Sequence, residues 1–219
     1  MKLKKTIAIL LAALIVAGCS PASSGETEKE DEPQETPAVS ENISRYYDEL
    51  PKENHFEVTD QETLTSILTH GTAIVFLGFP ECPWCQAYIP MLEEALSENE
   101  AMCTYYNIYW DKENDREYYD SIADLLISQN DSGEEIIQYD NDGLPRIYMP
   151  LVLFVEKGRI TAFDNETCME DGTLTPRKYW TTAKKAALKE KLSENIQRVA
   201  ALQAQNNSQG CDTGCKVGD

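Results

Sequence analysis

Positive charge is scarce in this chain: 19 lysines and arginines stand against 38 aspartates and glutamates, a formal net charge of −19. So acidic a protein repels phosphate backbones and anionic lipid headgroups, which excludes nucleic acid and acidic membrane surfaces as partners. Histidine is nearly missing too, with His55 and His70 the whole complement. Neither has a cysteine, histidine or acid at a ligand spacing, so both read as structural. Long apolar runs are equally wanting. The uninterrupted run Ile7–Ala17 is well short of the roughly 20 residues that cross a bilayer, which disfavours a transmembrane anchor. No internal repeat is present. What the chain does have is a hydrophobic content of 42%, enough to build the core of one domain of ordinary size.

Lys2, Lys4 and Lys5 precede the apolar run and Gly18-Cys19 closes it, the pattern of a secretory signal over residues 1–18. The junction Val16-Ala17-Gly18-Cys19 resembles the lipobox of bacterial lipoproteins. That resemblance implies a lipidated Cys19 at the head of the mature chain. Several acyl chains there would hold the protein extracytoplasmically at the cell membrane. From Ser20 to Glu41 the chain is mostly Ser, Pro, Thr, Gly and acids, with Lys29 the one base and no aromatic. Residues 19–41 therefore read as a disordered acidic tether. The folded domain is expected over 42–205, and 206–219 reads as a flexible tail.

Within the domain, Ile43, Tyr46, Tyr47 and Leu50 have the spacing of a short amphipathic helix ended by Pro51. Phe56–Thr59 alternates like a strand, and Thr59 with Glu62 offers a capping box for a helix through Leu68, stopped by Gly71. Thr72–Phe79 is apolar, β-branched and aromatic, the look of a strand buried on both faces. Cys85, Tyr88, Ile89, Leu92, Ala95 and Leu96 then recur at helical spacing. Met102–Trp110 reads as β-rich, Tyr118, Ile122, Leu125 and Leu126 as a helical stripe, and Ser128–Asp142 as a polar connection. Leu151–Val155 and Arg159–Phe163 form a hairpin about Glu156-Lys157-Gly158. A long helix is expected from Pro176, with Leu188, Leu192, Ile196, Val199 and Leu202 on one face. The alternation of strands and helices predicts an α/β fold: a central mixed sheet with helices on both faces, ending in a β-hairpin and a long C-terminal helix.

The chemistry gathers at Cys82-Pro83-Trp84-Cys85. A thiolate attacks a disulfide, so a redox site needs a cysteine of lowered pKa that stays accessible. The first turn of a helix supplies both, through unpaired N–H groups and the positive end of the dipole. Cys82 is the expected nucleophile and Cys85 the resolving thiol. Pro83 suits a helix start, and Trp84 offers an apolar surface beside the sulfur. Glu81 is expected to raise the Cys82 pKa and partly oppose the helix. The motif alone also fits half a zinc site or a structural disulfide.

From about Phe56 to Leu202 the order of elements resembles the thioredoxin superfamily. The motifs that match are the strand-CxxC-helix unit, Pro90 inside the helix, and Pro150 ahead of the hairpin. The stretch Phe76–Pro90 is similar to the bacteriocin transport accessory branch of that superfamily. The resemblance implies a cis Met149–Pro150 bond and a loop that faces the CxxC, so that Pro83, Trp84, Met149 and Pro150 would contact substrate. It implies thiol–disulfide exchange on cysteines of exported proteins, with a membrane electron donor or acceptor as a further partner and no cofactor. One departure is Phe76, which stands where thioredoxins place a buried acid.

Setting Cys19 aside for lipid, six of the 7 cysteines remain, and six allow fifteen pairings. Cys211 and Cys215 read as a local disulfide, a second redox pair relaying to Cys82 and Cys85, or a metal-capturing pair. Cys103 reads as a small interior hydrophobe, and Cys168 lies in the acidic loop after the hairpin. Two alternative functions stay open: a non-catalytic accessory protein that holds export clients, and a metal carrier using both cysteine pairs.

Overall fold

The stretch that the sequence places at the centre of the fold is buried at every position: β2 (Ala73–Leu77) exposes no residue to solvent. Successive side chains of a strand point to opposite faces, so this strand is covered on both sides. The computed structural model describes residues 41–167 and 174–211, the side chains of 206–211 excepted. Five strands form a mixed sheet in the order β1 (Phe56–Val58), β3 (Cys103–Tyr106), β2, β6 (Leu151–Glu156), β7 (Arg159–Asp164). β1, β3 and β2 run parallel, whereas β6 is antiparallel to β2 and forms the hairpin with β7. The protein is thus α/β. Leu77 at the end of β2 pairs with Leu151 at the start of β6, which brings together the two loops that flank these residues.

The helices follow local signals. α1 (Gln61–His70) is capped by Asp60, whose side chain accepts from the Thr63 N–H. The expected capping box on Thr59 and Glu62 does not form, because Asp60 is the residue left extended and exposed while Thr59 is buried. α2 (Pro83–Glu98) has Cys82 as its N-cap and Pro83 at its first position, and it continues through Pro90. The expected strand Met102–Trp110 is divided: after β3, the Asn107 side chain accepts from Trp110 N–H and opens α3 (Ile108–Asn114). A cap outweighs the β preference of Ile108, Tyr109 and Trp110 here. α4 (Arg116–Ser128) buries Tyr119, Ile122, Ala123 and Leu126.

Three other expectations need correction. The segment after Glu41 forms a single 3-10 turn over Ile43–Arg45, not a helix to Leu50, yet it buries Ile43, Tyr47 and Leu50 as the pattern requires. The connection 128–142 contains a short strand β4 (Gln138–Tyr139), paired with β5 (Pro145–Arg146). The helix begun by Pro176 is a single turn, α5 (Pro176–Tyr179). It breaks at Trp180, whose buried ring meets Tyr88 of α2 edge-on at 6.1 Å, before α6 (Thr182–Cys211) begins. α6 lays Leu188, Leu192, Ile196 and Val199 into the core beside α2, while Leu202 is only half-buried.

A buried carboxylate ties these layers together. Asp164 at the end of β7 accepts from Tyr88 Oη at 2.7 Å and from the Glu166 N–H at 3.1 Å. Lys191 Nζ of α6 lies 2.7 Å from its other oxygen, an ion contact without an aligned hydrogen bond. The hairpin turn is equally constrained. Lys157 and Gly158 both have positive φ, and a Cβ on Gly158 would lie 2.1 Å from the Thr69 carbonyl oxygen.

Candidate active site

Cys82 occupies the N-cap of α2, at the exit of the central strand. Its Sγ accepts the Cys85 N–H at 3.2 Å, as a capping side chain does. Both cysteines are free thiols. Their environments differ. The Cys85 thiol donates toward the Cys82 sulfur and holds the Cys82 pKa below the ordinary thiol range, against burial and with help from the N–H groups of Cys85 and Trp84. Cys85 is fully enclosed; burial, and then the neighbouring Cys82, push its thiol well up. Hydrogen bonding and burial thereby make Cys82 the readier of the two thiols to ionise and Cys85 the harder. Glu81, expected to oppose ionisation, points into solvent and is not among the groups that set the Cys82 pKa.

The register of β2 against β6 brings Met149 to this sulfur. The Met149–Pro150 bond is cis, and the Cys82 thiol lies 3.8 Å from the Met149 carbonyl oxygen, toward which it donates. Met149 and Pro150 are both buried. Pro83 is exposed and faces a second groove with Glu81 and Gln86. Trp84 is not the open apolar surface expected: it is only 8% exposed, and Tyr179 of α5 meets its ring edge-on at 5.4 Å. Burying the indole against α5 costs less than leaving it in water.

Residues that sequence reasoning passed over complete the site. Tyr119 of α4 accepts the Ile147 N–H at 2.8 Å and pins the loop before Met149. Gln86 donates to the carbonyls of Pro80 and Tyr46, each at 2.7 Å, joining the Cys82 loop to the N-terminal segment. Phe79 stacks on Tyr109 with centroids 4.2 Å apart. Arg146, beside Cys82 in the same groove, carries no local signature.

Cys103 is wholly buried with its thiol raised by burial, in keeping with an inert interior residue. His55 pairs with Glu93 at 2.8 Å, and Glu93 also accepts its backbone N–H, a structural clasp between β1 and α2. Cys19, Cys168 and Cys215 lie outside the described residues, as does the side chain of Cys211. Among the described residues no three His, Cys, Asp or Glu side chains gather as metal ligands, and no helix is long and apolar enough to cross a membrane. What Cys82 and Cys85 can do chemically is donate or accept an electron pair together, by closing or opening one disulfide respectively. No family model matches the chain, and no curated protein matches it.

Proposed function

We propose that this chain is a thioredoxin-like thiol–disulfide oxidoreductase, anchored through lipid on Cys19 outside the cell membrane and acting on cysteines of exported proteins. The observation that carries the reading is the division of labour between two thiols three residues apart. Cys82 has a lowered pKa at a helix N-cap beside the Met149 carbonyl, and Cys85 is enclosed behind it with a raised one. The thioredoxin-like assignment is supported by three parallel strands followed by an antiparallel hairpin, with a cis proline entering that hairpin. The anchor is supported by the sequence of residues 1–19.

In the reducing direction the Cys82 thiolate attacks one sulfur of a client disulfide. A Cys82–client bond forms, the client S–S bond breaks, and the second client sulfur leaves with the electron pair. Cys85 then loses its proton and attacks Cys82 Sγ, releasing the first client thiolate and closing the Cys82–Cys85 disulfide. Two electrons pass from the protein dithiol to the client, and a dithiol donor must restore the pair. The reverse sequence oxidises a client dithiol. Potentials of this chemistry extend from roughly −270 to −120 mV, so either direction is accessible.

Replacing Cys85 by Ala and isolating disulfide-linked complexes tests the reading. Exported proteins captured through Cys82 support it. An empty trap under both reducing and oxidising growth overturns it in favour of a client-holding accessory.

A further inference from the structure

The groove that opens on Cys82 has a volume of about 160 Å³. Its floor is aromatic, built from the Phe79–Tyr109 stack together with Tyr119 and Tyr148. Each tyrosine carries a cation over its ring: Lys112 at 5.1 Å from Tyr109, Arg116 at 5.0 Å from Tyr119, and Arg146 at 5.2 Å from Tyr148. Of these cations Lys112 and Arg146 line the groove itself, and the Tyr109 pKa is raised by burial and then by the nearby acids Glu113 and Glu81.

The three cations are not equivalent. Arg116 is matched by Asp120 at 2.8 Å, and Lys112 by Glu113 at 3.4 Å. Arg146 is exposed, and among the described residues no carboxylate pairs with it. A second groove, lined in part by Pro83 at the helix start, has Asp48, Glu49 and Glu81 together with Arg177 and Lys185. Arg146 is therefore the unpaired cation available to a client carboxylate in the groove that holds Cys82.

We propose that this groove selects client cysteines flanked by an acidic residue, with Arg146 as the specificity-determining cation; the inference rests on the exchange reading above. Neighbouring Cα atoms are about 3.8 Å apart, so a residue adjacent to the client cysteine spans the distance from Cys82 to the far wall of so small a cavity. A glutamate there lays its methylenes on the tyrosine rings and its carboxylate against the guanidinium. Arg presents a fork matched to a carboxylate, and its stacking on Tyr148 holds that fork in place.

The test uses the reduced protein and short peptides whose single cysteine is disulfide-linked to 5-thio-2-nitrobenzoate, with Glu, Gln or Lys beside the cysteine. Cys82 Sγ bonds to the peptide sulfur, the activated S–S bond breaks, and thionitrobenzoate leaves with the electron pair and is read by absorbance. Each rate is divided by that of the same peptide with 2-mercaptoethanol, which removes intrinsic reactivity. The Glu peptide should exceed the Gln peptide by about three- to fivefold, the size of a partly exposed ion pair, with Lys slowest. The preference should shrink in 1 M salt, where screening acts within about 3 Å. Arg146→Gln should bring the ratio to one, and Arg146→Lys, which keeps the charge but not the fork or its stacking, should retain only part of it. Equal normalised rates, or a ratio that survives Arg146→Gln or is lost equally in Arg146→Lys, overturn the inference while exchange itself stands. No release from any peptide overturns the exchange reading, and this inference with it.

Discussion

Replacing Asp164 by Ala should destabilise the fold through a side chain that never reaches the active site. Tyr88 is fully buried and Asp164 is 1% exposed, so removing the carboxylate leaves a phenol with no partner and no water. An unsatisfied buried donor costs about 1–3 kcal/mol. Loss of the charge-assisted bonds from Tyr88 and the Glu166 N–H brings the total to about 3–4 kcal/mol. Lys191 adds little, since its side chain is 53% exposed and solvent screens such a pair to roughly 1 kcal/mol or less. Tyr88→Phe should cost only about 1–2 kcal/mol, because Asp164 keeps its other two contacts. The double variant should then be less damaged than the two single costs added, by about 1–2 kcal/mol. Urea unfolding measures all three, with midpoints that shift at constant slope. Strict additivity, or a cost for Asp164→Ala below about 1 kcal/mol, would show that the carboxylate is not satisfied by Tyr88 as described. Because Tyr88 lies one turn beyond Cys85 on α2, the same variant should also speed alkylation of Cys85.

Gly158→Ala should destabilise by more than about 1–2 kcal/mol, the cost of a left-handed non-glycine residue, since its Cβ would also meet the Thr69 carbonyl at 2.1 Å; a neutral result in urea unfolding refutes the docking of this turn on α1. The lowered pKa of Cys82 means that its thiolate persists below the pH at which an ordinary thiol is protonated, and its reactivity is lost only as pH falls through that lowered value. Iodoacetamide at neutral pH should therefore label Cys82 while sparing Cys85 and Cys103, whose thiols burial holds protonated; equal labelling by mass spectrometry contradicts this. Under the proposed anchor, Cys19→Ser should abolish incorporation of a labelled fatty acid in a bacterial host, and retained label would count against it. A mixed disulfide on Cys82 should outlive its formation even in the unsubstituted protein, visible as a persistent conjugate in acid-quenched gels, and its absence at all times would show that Cys85 is readily deprotonated.

The parts of the fold that were legible in the sequence are those set by neighbours along the chain. The run Thr72–Phe79 predicts a doubly buried strand, which forms over Ala73–Leu77, and Pro83 with Cys85, Tyr88 and Ile89 predicts the helix that follows. Where two local signals competed, the pattern was read one residue off or in the wrong state. Asp60 and Thr59 are adjacent candidates for one cap, and Ile108, Tyr109 and Trp110 are strand formers overruled by Asn107. Trp180 breaks a helical pattern because a ring buried against Tyr88 needs the chain to turn. Arg146 and Tyr119 belong to a different class. They meet Cys82 only because Leu77 pairs with Leu151 and the loop before Met149 is pinned to α4, and no spacing along the chain encodes a register between strands.

The departure at Phe76 was visible from the start, and its surroundings give it a physical meaning. Its ring is fully buried, 6.0 to 6.3 Å from the rings of Phe56, Tyr88 and Tyr105. A Cβ on Gly78 would touch both that ring, at 2.7 Å, and Cys85 Sγ, at 3.3 Å. The glycine is thus the thin partition through which Cys85 faces an aromatic core. Behind it the hydroxyls of Tyr47 and Tyr105 are 3.3 Å apart, and the latter is 3.4 Å from the Gly78 carbonyl oxygen. They are phenols whose own ionisation burial suppresses, so they do not serve as bases at neutral pH. Among the described residues, the packing of β2 and α2 thus sets aromatic rings, not a carboxylate, against Cys85. In the exchange proposed for this pair, attack by Cys82 would be favoured by the helix start and resolution by Cys85 opposed by the core, both through the same few residues on either side of Gly78.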